Sequence, residues 1–356
     1  MAPRRRGVPM ETPSISLMHL PSLARLHCTG PTATGADRRP GFKRALLSVI
    51  VAAASRPTAL MIKYLLVLAL LGGDAPASRW TKAEYAGAFT DPDLAEVSGL
   101  AASRTHRGIY WAQNDGNNRP ELVAIRPDGT RVATFSVEAA PNVDWEDLDS
   151  FELDGRHYLL VADTGDNGGI RQTLSLHVFE EPARLQDGAT LRPAWSVSFR
   201  WPDGARDCEA TAVDAAAGQV LLVSKKRVPP ELFAVPLRPT GELQTAQPLG
   251  TLAGIAQPGQ AELRENPVYG RYRSQVSGAD LSPNGRVLAV LNYHAIHLYV
   301  RQPGQSWESA LAATPGRLRF PWLPQAEGIA FSVDGRSLLI ASEQRPSPLL
   351  IFRVTR

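Results

Sequence analysis

From about residue 84 onward the apolar positions fall in short runs of strand length, separated by turn residues, rather than at helical spacing. The runs repeat. Each unit opens with a small or acidic residue and an apolar strand, at 96–102, 146–151, 209–214, 277–282 and 327–332. A tight turn follows at Asp154-Gly155, Ala217-Gly218, Asn284-Gly285 and Asp334-Gly335, and a longer one ends at Gly108. These pairs predict type I′ hairpins, which need positive φ at both central residues. Second strands at 108–113, 158–162, 220–224, 287–291 and 337–341 are nearly all apolar. Third strands follow at 121–125, 174–179, 231–235, 295–300 and 349–354, with weaker fourth strands such as 132–137 and 195–199.

Repeated units of four antiparallel strands predict an all-β fold, a β-propeller of about five four-stranded blades. The last unit ends after its third strand, and a spare strand at 85–89 precedes the first. That N-terminal strand is expected to close the last blade, so that no edge is left open. The stretch 237–275 is longer than one outer strand requires and leaves room for a sixth blade or an excursion over one face. A β-sandwich would not produce recurring unit openings.

Charge separates the N-terminal region from the rest. Residues 1–77 carry ten Lys/Arg against three Asp/Glu, while the remainder carries 28 basic and 32 acidic groups. Lys63, the apolar run from Tyr64 to Leu71, and Ala75-Pro76-Ala77 have the order of a secretory signal. Met61 stands where such a signal starts, so 1–60 reads as an upstream extension, 61–77 as a signal peptide and 78–356 as the propeller. The alternative, a membrane anchor at 45–72, is interrupted by Arg56 and Lys63. These features predict a periplasmic or secreted bacterial protein, monomeric, with no transmembrane span in the mature chain. The mildly acidic mature chain has no basic stripe and is not expected to bind nucleic acid. Cys28 lies in the leader, which leaves Cys208 alone, read as a small buried hydrophobe rather than a nucleophile.

In a propeller blade the start of strand one and the end of strand two share one mouth of the channel. Strand-one starts bring Glu146, Glu209 and Glu327 there, with Ser98 and Ser277 in the other two slots. Strand alternation puts Glu96, Asp144 and Asp207, each two residues earlier, on the same side. Strand-two ends add Asn114, Asp115, Asp163, Asp166, Asn167, Lys225, Lys226, Asn292 and Glu343. Converging carboxylates repel one another unless a cation lies between them. Oxygen donors without a His/Cys cluster suit Ca²⁺ rather than zinc. Two readings remain open: a Ca²⁺ site, or a wet channel in which lysines neutralise the glutamates. The run from Asp163 to Gly169 reads either as a cation loop or as a turn whose Asp and Asn bond their own backbone.

Other chemistry is missing: the sequence has no G-x-S-x-G, H-E-x-x-H or Walker motif. His294 and His297 are expected at the surface or rim. Trp111, Trp145 and Trp322 are expected either to pack between blades or to line the mouth, with packing the favoured of the two.

Several strings carry a resemblance. They are Ser98-Gly-Leu-Ala-Ala-Ser-Arg, Tyr110-Trp111 with Asn114-Asp115, Trp145-Glu146-Asp147, and Ala162-Asp-Thr-Gly-Asp166-Asn167. Asp203-Gly, Arg206-Asp207-x-Glu209-Ala, Ser224-Lys225-Lys226, Ser282-Pro-Asn-Gly and Gln325-x-Glu327-Gly continue the series, which spans most of 90–345. Together they resemble a family of exported bacterial propeller proteins. More distantly the chain resembles the phytase-like esterase and calcium-dependent lactonase propellers. That resemblance implies Ca²⁺ in the channel and hydrolysis of an ester or phosphoester. It carries over only to Glu146, Glu209 and Glu327, with Asn114, Asp115, Asp163, Asp166 and Asn167 as further ligands. Ser98 and Ser277 replace an acid in two slots and depart from that pattern. Three functions follow as expectations: a Ca²⁺-dependent mouth that binds a small or anionic ligand through Lys225, Lys226 and Asn292, or scaffolds; a Ca²⁺-dependent hydrolase; and a protein-interaction platform.

Overall fold

The computed structural model describes residues 76–355. The upstream extension 1–60, the alternative anchor at 45–72 and the signal peptide up to residue 75 lie outside the described residues. Among the described residues, no helix is long and apolar enough to cross a membrane.

After β1 (Glu84–Phe89) the chain forms a five-bladed propeller. The first blade is β2 (Val97–Ala102), β3 (Tyr110–Asn114), β4 (Glu121–Ile125) and β5 (Arg131–Val137). The second is β6 (Trp145–Leu153), β7 (Arg156–Asp163) and β8 (Leu174–Glu180), then β9 (Ala189–Leu191) as an excursion and β10 (Trp195–Arg200) as its fourth strand. The third is β11 (Ala210–Asp214), β12 (Gln219–Val223), β13 (Glu231–Pro236), the detour β14 (Gln244–Thr245) and β15 (Gln247–Thr251). The fourth is β16 (Val276–Leu281), β17 (Val287–Asn292), β18 (Ala295–Val300) and β19 (Gly316–Arg319). The last is β20 (Ala326–Phe331), β21 (Ser337–Ser342) and β22 (Ser347–Arg353), and β1 pairs antiparallel with β22 to complete it. The N-terminal closure expected from the sequence is therefore present.

The second strands are apolar throughout because both of their faces are buried. Along β7, Leu159 and Val161 join the core shared with the first blade, and Leu160 and Ala162 the core shared with the third. Two clasps tie neighbours further: β9 pairs parallel with β5 of the blade before it, and β14 with β10. Polar locks do the same. Buried Asp214 accepts from Arg301 (2.8 Å) and the Trp307 indole (3.0 Å) of the fourth blade.

Two expectations need correction. There is no sixth blade among the described residues: 237–275 holds β14, β15, a short helix Gln260–Glu265 and a 3-10 turn Gly270–Tyr272. The type I′ geometry holds at Asp154-Gly155, where φ is 53° and 73°. At Ala217-Gly218, Asn284-Gly285 and Asp334-Gly335 only the glycine has positive φ. There the loops are longer: Gly285 N donates to Ser282 O (2.7 Å), and Ser282 N to Val287 O (2.9 Å). The extra residues relax the requirement for two left-handed positions.

Candidate functional site

A recurring β-bulge places the strand-one residues at the mouth. Pairing between first and second strands slips between Val97 and Gly99, Trp145 and Asp147, Val276 and Gly278, and Ala326 and Ile329. The residues skipped are Ser98, Glu146, Ser277 and Glu327 with Gly328. A bulged residue leaves the ladder and its side chain is re-aimed. Glu209 stands one residue before β11, in the matching place. The slots bond around the ring: Ser98 Oγ donates to Glu146 O, and Ser277 Oγ to Ala326 O.

Two groups of carboxylate oxygens converge. Those of Asp115, Asp144 and Glu146 lie within 4.8 Å of one another, as do those of Glu146, Asp207 and Glu209. Glu146 joins the two groups, and the second is wholly buried. Lys225 forms an ion pair with Glu209 Oε1, and Lys226 Nζ stands 2.8 Å from Asp207 Oδ2. Asp207 Oδ1 accepts from Asp166 N at 2.8 Å. The other Glu209 oxygen, Oε2, is buried without a hydrogen-bond partner among the described residues. Backbone closes around the acids: a Cβ on Gly165 would stand 2.2 Å from Glu146 Oε1, and one on Gly116 would stand 2.3 Å from Asp144 Oδ1. Only glycine permits that approach.

Burial and crowding raise the pKa of five mouth carboxyls. Glu146 is pushed well above the usual carboxylate range by burial, then by the charge of Asp115. Burial raises Asp115, and burial with the charge of Asp115 lifts Asp144 to about 6. Glu327 rises to about 8 through burial and Glu343, and Glu343 to about 6 through burial and Asp115. Lys225 opposes these shifts without cancelling them.

Other expected ligands have their side-chain atoms bound elsewhere. Glu96 is exposed on the rim and accepts from Asn118 (2.7 Å). Asn114 accepts from Glu96 N (3.2 Å) and donates to Asp93 O (2.6 Å). Asp163 accepts from Asp144 N (3.1 Å) and pairs with Arg171 (2.8 Å). Asp166 accepts from Ile170 N (2.8 Å) and Arg171 N (3.0 Å), and Asn167 holds Lys226 (2.9 Å). The loop thus carries, at Asp166, the backbone bonds of the second reading. Asn292 accepts from His294 N (3.0 Å) and Ala295 N (2.8 Å) and bonds His297 (3.2 Å), all within its own blade.

His297 is not at the rim; it is buried, and burial drives its pKa down to about 3. Trp111 and Trp145 are buried as expected, but Trp322 is 51% exposed. Cys208 is buried, its thiol pushed up to about 12.

Tyr293, the residue after Asn292 at a strand-two end, donates to Glu327 Oε1 at 3.0 Å. Sequence reasoning passed over one feature near the mouth. Below it, Asp147 Oδ2 accepts from Thr211 N (2.7 Å) and Ala279 N (3.2 Å), while Asp149 accepts from Thr211 Oγ1 (2.8 Å). These acids pin the second blade to the third and fourth across the axis. The acidic spacing in Glu146-Asp-Leu-Asp149 was the available signal.

No protein-family model matches the chain, and no curated protein matches it. Among solved structures it is similar to the RRP9 WD40 repeats, at 14% identity and a TM-score of 0.36, over 72% of this chain and 67% of that one.

Proposed function

We propose that the propeller is an exported binding protein whose mouth holds Ca²⁺ and, beside it, an anionic ligand. The observation that carries the reading is Glu209 Oε2, a buried carboxylate oxygen without a partner among the described residues, inside a cluster of acids that outnumber their lysines. Such an oxygen costs about 1–3 kcal/mol or more when left bare, and a hard cation is the group that satisfies it. Glu146, Asp207 and Glu209 would hold the ion, with Asp115 and Asp144 completing an oxygen set of the kind Ca²⁺ takes. Lys225, Lys226 and Arg227 flank the acids and supply positive charge for an anionic ligand.

A hydrolytic reading of the same site has one observation in its favour. Asp144, half-buried and raised to about 6, can accept a proton near neutral pH, as a general base must. A bound divalent ion would polarise an ester or phosphoryl oxygen. Asp144→Asn would then abolish turnover of aryl esters or phosphoesters.

Thermal unfolding tests the binding reading. A site filled a hundredfold over its dissociation constant adds about 2.7 kcal/mol, or roughly 5–10 °C for a domain of this size. Glu209→Gln is expected to remove most of that rise, and Glu146→Gln likewise, because a neutral amide is a poorer ligand. Equal melting temperatures in Ca²⁺ and chelator would leave the wet-channel reading in its place.

A further inference from the structure

Three aromatic side chains are markedly exposed among the described residues: Tyr85, Tyr269 and Trp322. Two of them meet, although they come from different blades. Tyr269 belongs to the excursion between β15 and β16, and Trp322 to the loop before β20. Their ring centroids are 5.6 Å apart at 43°. Elsewhere the tryptophans Trp111 and Trp145 are fully buried, so an exposed Trp–Tyr pair is a departure from how this chain uses its large rings.

Trp322, with Tyr269 packed against it, borders a cavity of about 370 Å³ lined also by Phe320, Arg319, Arg273, His294 and Tyr293, among others. The excursion is fastened over it. Arg273 Nη1 pairs with Glu265 (3.2 Å) and Glu262 (3.8 Å), and its Nη2 reaches His294 (2.7 Å). Arg273 is thereby committed, and burial with neighbouring arginines keeps His294 neutral. Arg319 is different: it is exposed, lines the cavity, and has no ion pair among the described residues. On the inner side, Tyr293 lines the same cavity and donates to the mouth acid Glu327. The groove is thus one wall of the mouth: an aromatic shelf made by Trp322 and backed by Tyr269, one uncommitted guanidinium and a phenol that leads to the acid cluster.

We infer that this groove binds a ring-bearing anion, with the ring packed on Trp322 and Tyr269 and the acidic group held by Arg319. The inference extends the ligand-binding reading above by naming the ligand's chemistry. Aromatic rings pack in offset or edge arrangements on such a shelf, and arginine takes carboxylate or phosphate in a forked pair. Neither half alone fills the groove. A bare anion leaves the rings wet, and a neutral ring leaves Arg319 unpaired.

Phenyl phosphate is the probe, with inorganic phosphate and phenol as its two halves. Calorimetric titration of the full chain, run in Ca²⁺ and again in chelator, should show saturable binding of phenyl phosphate in both. Each half is expected to bind at least about tenfold more weakly, as are the Trp322→Ala and Arg319→Gln variants toward the whole probe. Both substituted positions are exposed, so the melting temperatures of the variants should match the parent and rule out unfolding as the cause. The Ca²⁺-induced rise in melting temperature should survive Trp322→Ala and disappear in Glu209→Gln. Phenyl phosphate binding that is absent, or that is lost with Glu209→Gln yet unchanged in Trp322→Ala and Arg319→Gln, overturns the groove assignment. Binding at the groove without any Ca²⁺ response would instead remove the cation site and leave the groove standing.

Discussion

Removing residues 78–90 is expected to leave a chain that aggregates or unfolds without a cooperative transition. The deletion takes away β1, the outer strand of the last blade, and exposes the edge of β22. That edge is apolar, with Leu349, Leu350, Ile351 and Phe352 in sequence, and an open apolar edge is a template for pairing with other chains. The deletion also removes Phe89, fully buried in the core between the last and first blades. Loss of a buried Phe side chain alone costs about 3–5 kcal/mol, a large share of the 5–15 kcal/mol by which native domains are stable. Light scattering and thermal unfolding check the outcome; a soluble deletion variant with the parent's melting temperature would show that β1 does not close the ring.

The second large effect is a reversed pH dependence. In chelator, stability is expected to fall as pH rises from 6.5 to 8.5. The carboxyls that titrate in this window have folded pKa values above their unfolded ones: about 7 for Asp149 and about 8 for Glu327, while Asp144 and Glu343, at about 6, have given up most of their contribution below it. For such groups the folded state binds more protons, so their contribution is complete below the unfolded value and is lost as pH rises through the folded one. The histidines work the other way. His177, His294 and His297 have lowered values and weaken the fold only as pH drops through 6.5, which sets the lower limit of the window. Cys208 begins to matter above its ordinary value of 9.0, which sets the upper one. A loss of roughly 2–3 kcal/mol corresponds to roughly 5–10 °C in melting temperature. Ca²⁺ held by the mouth acids should restore the part due to Glu327, which feels the charge of Asp115. It should leave the part due to Asp149, which lines a separate cavity with Asp280 and the 282–285 turn. A melting temperature that rises across this window in chelator would contradict the protonated mouth.

The blades were legible because each second strand is buried on both faces and must be apolar, as at 158–162 and 287–291. The three mouth glutamates were legible because they recur at the same place in each unit. What re-aims them, the bulges at Glu146, Ser277 and Glu327, leaves no mark in residue type. The excursion 253–275 lacks periodicity, so it read equally as a blade or a detour. The bonds from Ile170 N and Arg171 N to Asp166 were not legible, because a free carboxylate and one bonded to its own loop share the same letter. His297 misled for a related reason, since its burial and its Nε2 contact with Asn292 within the blade depend on pairing that a linear reading does not show.

Calorimetric titration with Ca²⁺ near pH 7.5, repeated in buffers of different ionisation enthalpy, tests the central claim most directly. Ligand carboxyls that hold protons must release them when the cation binds. The account predicts a saturable heat whose size depends on the buffer, showing proton release, and predicts that Glu209→Gln abolishes it. Absence of any binding heat at millimolar Ca²⁺, with no change in melting temperature, would contradict it.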